Sequence, residues 1–133
     1  MHEPFKLPIR IYMEDTDTGG IVYYVNYLKF IERARTEFMR SLGFGKQFIF
    51  EQDIMFVVHS LSVDYKQPAR LDDELVATAQ LLKLGRAGMQ LNQQVWRAQD
   101  LLVDSQVKLA CVNKKSLRPA AMPADIIAVL KTL

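Results

Sequence analysis

Apolar and polar residues alternate along this chain with two periods, and the change between them is abrupt. Phe5, Leu7, Ile9, Ile11 and Met13 occupy every second position, the repeat that turns one face of a strand toward a core. The repeat breaks at residues 14–20. Beyond Asn26 it becomes helical: Tyr27, Phe30, Ile31, Ala34, Phe38 and Leu42 share one face, and Lys29, Glu32, Arg33, Glu37 and Arg40 take the opposite one. On the charged face Lys29 with Glu32, Arg33 with Glu37, and Glu37 with Arg40 are opposite charges at helical-neighbour spacing, each pair a small support. Gly43 marks the end of the helix. A loop is expected over residues 45–53. Strand-like sets then follow in hairpin-like succession. The first is Val57, Leu61, Val63 and Tyr65; past a turn at 68–73 come Leu75, Ala77, Ala79 and Leu81. Past a turn at 85–88 come Met89, Leu91 and Val95, and finally Val103, Val107, Leu109 and Cys111. Pro123 suits the first turn of a short C-terminal helix. The pattern predicts an α+β domain in which an antiparallel sheet packs over one long central helix.

The 133 residues fit one domain, 1–133, since no repeat, low-complexity tract or Gly/Ser linker divides them. Half are hydrophobic and 24% are charged, a balance that supplies one packed core. The net charge of +2 offers no strong field for nucleic acid or an anionic membrane. A single cysteine, Cys111, excludes an internal disulfide, and its place in a strand repeat makes it a core residue. The N-terminal stretch lacks the apolar run of a secretory signal, and the longest apolar runs, at 21–25, 54–58 and 126–130, fall short of the roughly 18 residues of a membrane span. A cytoplasmic chain with neither nucleic-acid nor membrane partners is the expectation.

The chemistry concentrates where the strand period stops: Asp15-Thr16-Asp17-Thr18-Gly19-Gly20-Ile21-Val22-Tyr23-Tyr24-Val25-Asn26-Tyr27. Gly19 and Gly20 suit a tight turn or a close approach of ligand to backbone. The helix that follows begins with unpaired N–H groups and a partial positive charge, which can polarise a carbonyl and stabilise an oxyanion. A carboxylate beside such a helix end makes a hydrolytic pair; the same residues also suit a plain turn with Asp as a helix cap. A calcium loop is excluded, because Asn26 stands where a bidentate Glu is needed and Gly19 replaces an oxygen ligand. Asp17-Thr18-Gly19 is also the triplet of a homodimeric aspartic protease, although no hydrophobic strand directly precedes it and a long amphipathic helix follows.

The segment from Asp15 to Tyr27, with Phe30, Glu32, Ala34 and Arg35, resembles the signature of the 4-hydroxybenzoyl-CoA thioesterase family. The resemblance extends through Phe56-Val57-Val58, through Tyr65-Lys66-Gln67-Pro68-Ala69-Arg70-Leu71-Asp72-Asp73, and to Arg118-Pro119. Within that family it is most similar to the Tol-Pal-associated acyl-CoA thioesterases. The resemblance implies a hot-dog fold, a sheet wrapped around a long helix, and hydrolysis of a short-chain or aromatic acyl-CoA to free acid and CoA. It implies that Asp17 is the catalytic base or nucleophile, and that the Tyr24 backbone N–H polarises the thioester carbonyl. It implies a site formed between subunits of a homodimer or homotetramer, and an acyl carrier protein as a further candidate partner. No cofactor or metal is called for, since coenzyme A arrives with the substrate. One departure is that the Tol-Pal-associated members often carry His at the position of Tyr24; a phenol, ionising at about pH 10, does not replace imidazole as a base at neutral pH. An acyl-thioester-binding scaffold with weak hydrolysis is the alternative from another class.

Other residues add candidates. Ile21 and Val22 are substrate-binding candidates beside the loop, with Phe30 and Ile54 among the side chains that would set the size of the acyl pocket. His59 lies in the second strand, either lining that pocket or satisfied in the sheet, and His2 is terminal. For CoA phosphates the basic residues near turns are Lys83, Arg86, Lys114 and Lys115, and Arg86 is the first choice because a guanidinium matches phosphate geometry. Two histidines and one cysteine at scattered positions give no metal spacing. No Gly-x-Ser-x-Gly elbow occurs, and Gly43-Phe44-Gly45-Lys46 lacks the length of a phosphate loop.

Overall fold

In a computed structural model, which describes residues 3–133 and so leaves His2 outside the described residues, the helical face read above lies on one side of a five-stranded sheet. The chain runs β1 (Phe5–Arg10), a 3-10 turn (Met13–Asp15), α1 (Tyr24–Ser41), α2 (Lys46–Glu51), β2 (Ile54–Tyr65), β3 (Glu74–Leu84), β4 (Gly88–Arg97), β5 (Asp100–Asn113) and α3 (Ala124–Leu130). The strands lie in the order β1-β3-β4-β5-β2, every neighbouring pair antiparallel.

Helix α1 forms because its apolar positions have somewhere to go. Tyr27, Phe30, Ile31, Ala34 and Phe38 are all buried, packed with Leu75, Ala77 and Ala79 of β3 and Leu91 and Val95 of β4. Each large side chain buried this way stabilises by about 1.5–3 kcal/mol. Ala77 and Ala79 sit in the inward row of β3, the strand on which α1 chiefly rests, and their small size lets the helix approach. Gly43, with φ of +96°, closes the helix in the left-handed conformation that favours glycine. Of the three expected charge pairs, only Glu37–Arg40 forms among the described residues, at 3.0 Å. The inward row of β4 also contains Gln93, a polar residue that the apolar repeat passes over. It is fully buried, donating to Ile31 O (2.9 Å) and Thr78 O (3.2 Å) and accepting from Arg35 (3.1 Å).

Three local expectations change. Met13 leaves the strand repeat and stands exposed, because the chain turns into the 3-10 segment after Ile11. The loop at 45–53 contains α2. The hairpin-like succession holds for β3, β4 and β5 but not for β2, which pairs with β5 at the far edge of the sheet. Segment 66–73 is therefore an arch. It must cross three strand spacings, about 14 Å, and its eight residues reach up to about 27 Å. Its first N–H groups, Lys66 and Gln67, donate to Leu102 O, while at its other end Asp72 donates to Ile11 O and Asp73 O accepts from Ile11.

Asp73 fastens the arch. Its carboxylate accepts from the Arg70 N–H (2.8 Å) and from Arg97 (2.9 Å), and Arg97 also donates to Pro68 O (3.2 Å). Burial works against the charged carboxylate, but these hydrogen bonds and the two guanidinium charges outweigh it and hold the Asp73 pKa below its usual value. The native state therefore binds this proton less readily than the unfolded chain. The resulting stability is present above the ordinary carboxylate range and is lost as pH falls through the lowered pKa. Asp73→Asn is expected to cost about 1 kcal/mol at pH 7 for this part-exposed pair. Urea denaturation at pH 7 and pH 2.5 should show that difference at neutral pH and its disappearance in acid; an equal loss at both pH values would contradict the linkage.

Candidate active site

The loop between β1 and α1 folds back on itself before the helix begins. Thr16 and Val22 pair as an antiparallel bridge, the Asp17 N–H donates to Ile21 O (2.9 Å), and the Gly20 N–H donates to Asp17 O (3.1 Å). Gly20 has φ of +78°, so the tight turn needs its glycine. At the tip Asp17 is exposed, and its Oδ1 accepts from the Gly19 N–H at 2.8 Å. A Cβ at Gly19 would stand 3.3 Å from that oxygen, so glycine there leaves the carboxylate its place.

Two supports hold this loop. On one flank lies the arch: Val22 donates to Ala69 O (2.9 Å), Ile21 bridges Arg70, and the Ala69 N–H donates to the Tyr27 hydroxyl (2.8 Å). Sequence reasoning placed 68–73 only as a turn; its Pro-Ala-Arg-Leu-Asp-Asp composition signals a bend but not what it leans on. On the other flank the buried Asp15 accepts from the Tyr12 N–H and from Asn26 Nδ2, each at 2.9 Å, while its carbonyl accepts from the Tyr23 N–H at 3.0 Å.

Among the described residues no side chain caps α1, whose N-cap is Tyr23. The Tyr23 and Asn26 N–H groups are taken by Asp15 O and Tyr23 O. The Tyr24 N–H lies between them at the positive end of the helix, where the partial charge is roughly half a unit. The Tyr24 ring is exposed and meets Tyr23 (5.0 Å between centroids) and Tyr65 (6.2 Å), and Tyr65 also meets Tyr27 (5.8 Å). Burial, with smaller contributions from the Tyr24 and Tyr27 hydroxyls, pushes the Tyr65 phenol up. Asp17, the start of α1 and this group of phenols thus lie at the same end of the sheet.

The remaining candidates are distributed differently. Val22 is 4% exposed and belongs to the core; its backbone, rather than its side chain, serves the loop, while Ile21 is half-buried. Phe30 is fully buried. His59 is exposed at the bulge in β2, about 20 Å of strand from Tyr65. Arg86 is exposed in the β3–β4 turn, and the ten steps of β3 put that turn about 33 Å from the arch. Within the chain, therefore, neither His59 nor Arg86 lies near Asp17. A cavity of about 400 Å³ opens beside the C-terminal half of α1, lined by Arg35, Met39, Phe44, Phe48, Ile54 and Phe56 among others. It lies toward the opposite end of β2 from Tyr65, and Ile54 is the one expected pocket residue it contains. Desolvation lowers the Arg35 pKa, with Glu32 opposing. Cys111 is buried and its thiol pKa is raised, as befits a core residue rather than a nucleophile.

The model of the thioesterase superfamily matches residues 19–103, from the second half of this loop to the start of β5. The chain belongs to the thioesterase superfamily. Its five-stranded sheet and long helix are the hot-dog fold, and the probable thioesterase from Bartonella henselae superposes with a TM-score of 0.86 at 29% identity, covering 91% of this chain and all of that one. The acyl-CoA thioesterase YbgC of Haemophilus influenzae is 40% identical over 130 residues, 97% of this chain and 96% of that protein. The acyl-CoA thioester hydrolase YbgC of Escherichia coli O157:H7 is 38% identical over 128 residues, 96% of each chain. Membership removes the aspartic-protease reading, since in this superfamily member Asp17-Thr18-Gly19 tips a loop that runs into a central helix.

Gly20→Ala is expected to lower stability by about 1–2 kcal/mol, and Gly20→Asn by less, because a Cβ is strained at this backbone conformation. Urea midpoints of the two variants test this; an alanine variant as stable as the wild type would contradict it.

Proposed function

We propose that this chain hydrolyses acyl-CoA thioesters to a free acid and CoA. The observation that carries the reading is an exposed carboxylate, Asp17, fixed at a loop tip beside an uncapped helix start. With Oδ1 held by Gly19, Oδ2 is the oxygen that meets the substrate. The carbonyl oxygen sits at the start of α1, where the Tyr24 N–H donates to it and stabilises the charge that develops there. Asp17 then either takes a proton from an attacking water or attacks the carbonyl carbon itself, forming an anhydride that water opens. Either way the C–S bond breaks, the thiolate of CoA leaves, and one water is consumed. No step calls on a metal.

A second copy of the chain completes the site. β2 is a 12-residue edge strand with Val58, Leu61 and Tyr65 exposed, and neither Pro nor Lys interrupts it. Antiparallel pairing of β2 with its copy sets the Ile54 end of one protomer beside the Tyr65 end of the other. That pairing carries the cavity and the partner's Arg86 toward Asp17, supplying an apolar chamber for a short-chain or aromatic acyl group and a guanidinium for a CoA phosphate.

Release of free thiol across a panel of acyl-CoAs tests the chemistry. Asp17→Asn is expected to lower kcat by about 10²–10⁴-fold with KM little changed. Full activity in that variant would overturn the role of Asp17, and binding without turnover in the wild type would favour the scaffold reading. Val58→Lys/Leu61→Lys is expected to convert a dimer or larger assembly to a monomer of 15.3 kDa in sedimentation velocity, with at least about a tenfold loss of kcat/KM. A wild-type monomer with full activity would overturn the shared site.

A further inference from the structure

We propose that Asp15 and Asn26 act as a positioning pair that sets the Asp17 loop against the start of α1, so that breaking the pair lowers turnover while leaving substrate affinity nearly unchanged. The inference rests on the reading of Asp17 given above.

Asp15 stands where three pieces of the site meet. Its Oδ2 accepts from Tyr12, just past the end of β1; its Oδ1 accepts from Asn26 Nδ2, in the first turn of α1; its carbonyl accepts from Tyr23, the residue that opens the helix. Asp15 and Asn26 are 7% and 9% exposed, so their contact is shielded from water. A carboxylate with each oxygen committed to a separate donor cannot rotate without losing one of them, and burial makes that loss costly. Asp17 follows two residues later, and the Tyr24 N–H lies between the two helix positions that Asp15 holds. The other fastenings act elsewhere: Thr16 with Val22 closes the loop on itself, and the Ala69–Tyr27 bond ties the arch to the helix. Asp15 with Asn26 is the side-chain bond that joins the Asp17 side of the loop to the first turn. Base or nucleophile and carbonyl donor must both address one thioester, and a shift of about 1 Å between such groups costs on the order of 10²-fold in rate. Substrate affinity comes instead from the acyl group and CoA, which this pair does not touch.

The test uses polarity. Asn26→Asp places two carboxylates face to face and is expected to lower kcat by about 10–100-fold, with KM within about twofold of wild type. Adding Asp15→Asn restores the bond with its direction reversed: the introduced amide donates to the introduced carboxylate, and its oxygen still accepts from Tyr12. The double variant is expected to recover kcat to within about threefold of wild type. A merely structural pair would shift the melting temperature without this split between kcat and KM, measured at saturating substrate well below melting. Should Asn26→Asp fail to fold, Asn26→Ala carries the same expectation for kcat and KM. Wild-type kcat in the single variant, or a double variant no faster than Asn26→Asp, would overturn the pair. Asp17→Asn run in parallel separates the two readings. If it is inactive beside a full-rate Asn26→Asp, the pair alone falls; if it is fully active, the role of Asp17 falls and the pair falls with it.

Discussion

Helix α1 can begin without a side-chain cap because its apolar face, Phe30, Ile31, Ala34 and Phe38, is buried against the inward rows of β3 and β4. Tertiary packing supplies the stability that side-chain capping would otherwise contribute, so the helix start needs no side-chain acceptor on the Tyr24 N–H. The buried Gln93 reinforces this from below, its amide bridging a helix carbonyl and a strand carbonyl. Such a bridge fixes the helix along its axis as well as at its height above the sheet, which apolar contact alone does poorly.

Much of this was legible in the residues because it is local. The helical repeat from Tyr27 to Phe38 names the face that is buried, Gly43 marks the stop, and a turn dense in Asp and Gly directly before a helix points to the site. What escaped depends on pairings distant in sequence. Nothing in 54–65 says that its partner is β5 rather than β3, because an alternating set reads alike at an edge and in a hairpin. For the same reason the arch read as a turn, and the distance of His59 and Arg86 from Asp17 along the strands did not show. Gln93 has the inward parity but does not stand out in an apolar repeat, because a polar residue holds an inward place only through partners on another element.

The arch shows how a single connection serves both fold and chemistry. It must cross the end of the sheet because β2 and β3 are not neighbours, and in crossing it meets the Asp17 loop, accepting from Val22 at Ala69 O and donating from Leu71 to Gly20 O. Asp72, with φ of +68°, accepts a conformation unusual for a side chain with a Cβ at the point where the arch turns into β3. The Asp73–Arg97 bond lies directly after it.

The two edges of the sheet differ in a way that bears on symmetry. β1 is six residues long and carries Pro8, whose nitrogen has no proton to offer a neighbour, whereas β2 is twice that length and contains no proline, though it bulges at His59. A sheet with one receptive and one blocked margin can accept a single neighbour by strand addition. Two copies that meet through their receptive margins about a two-fold axis present only blocked margins outward, so the extended sheet is closed to a third. Proline in a short outer strand thus leaves β1 one donor short for any strand laid against it, so the margin built for strand addition is β2.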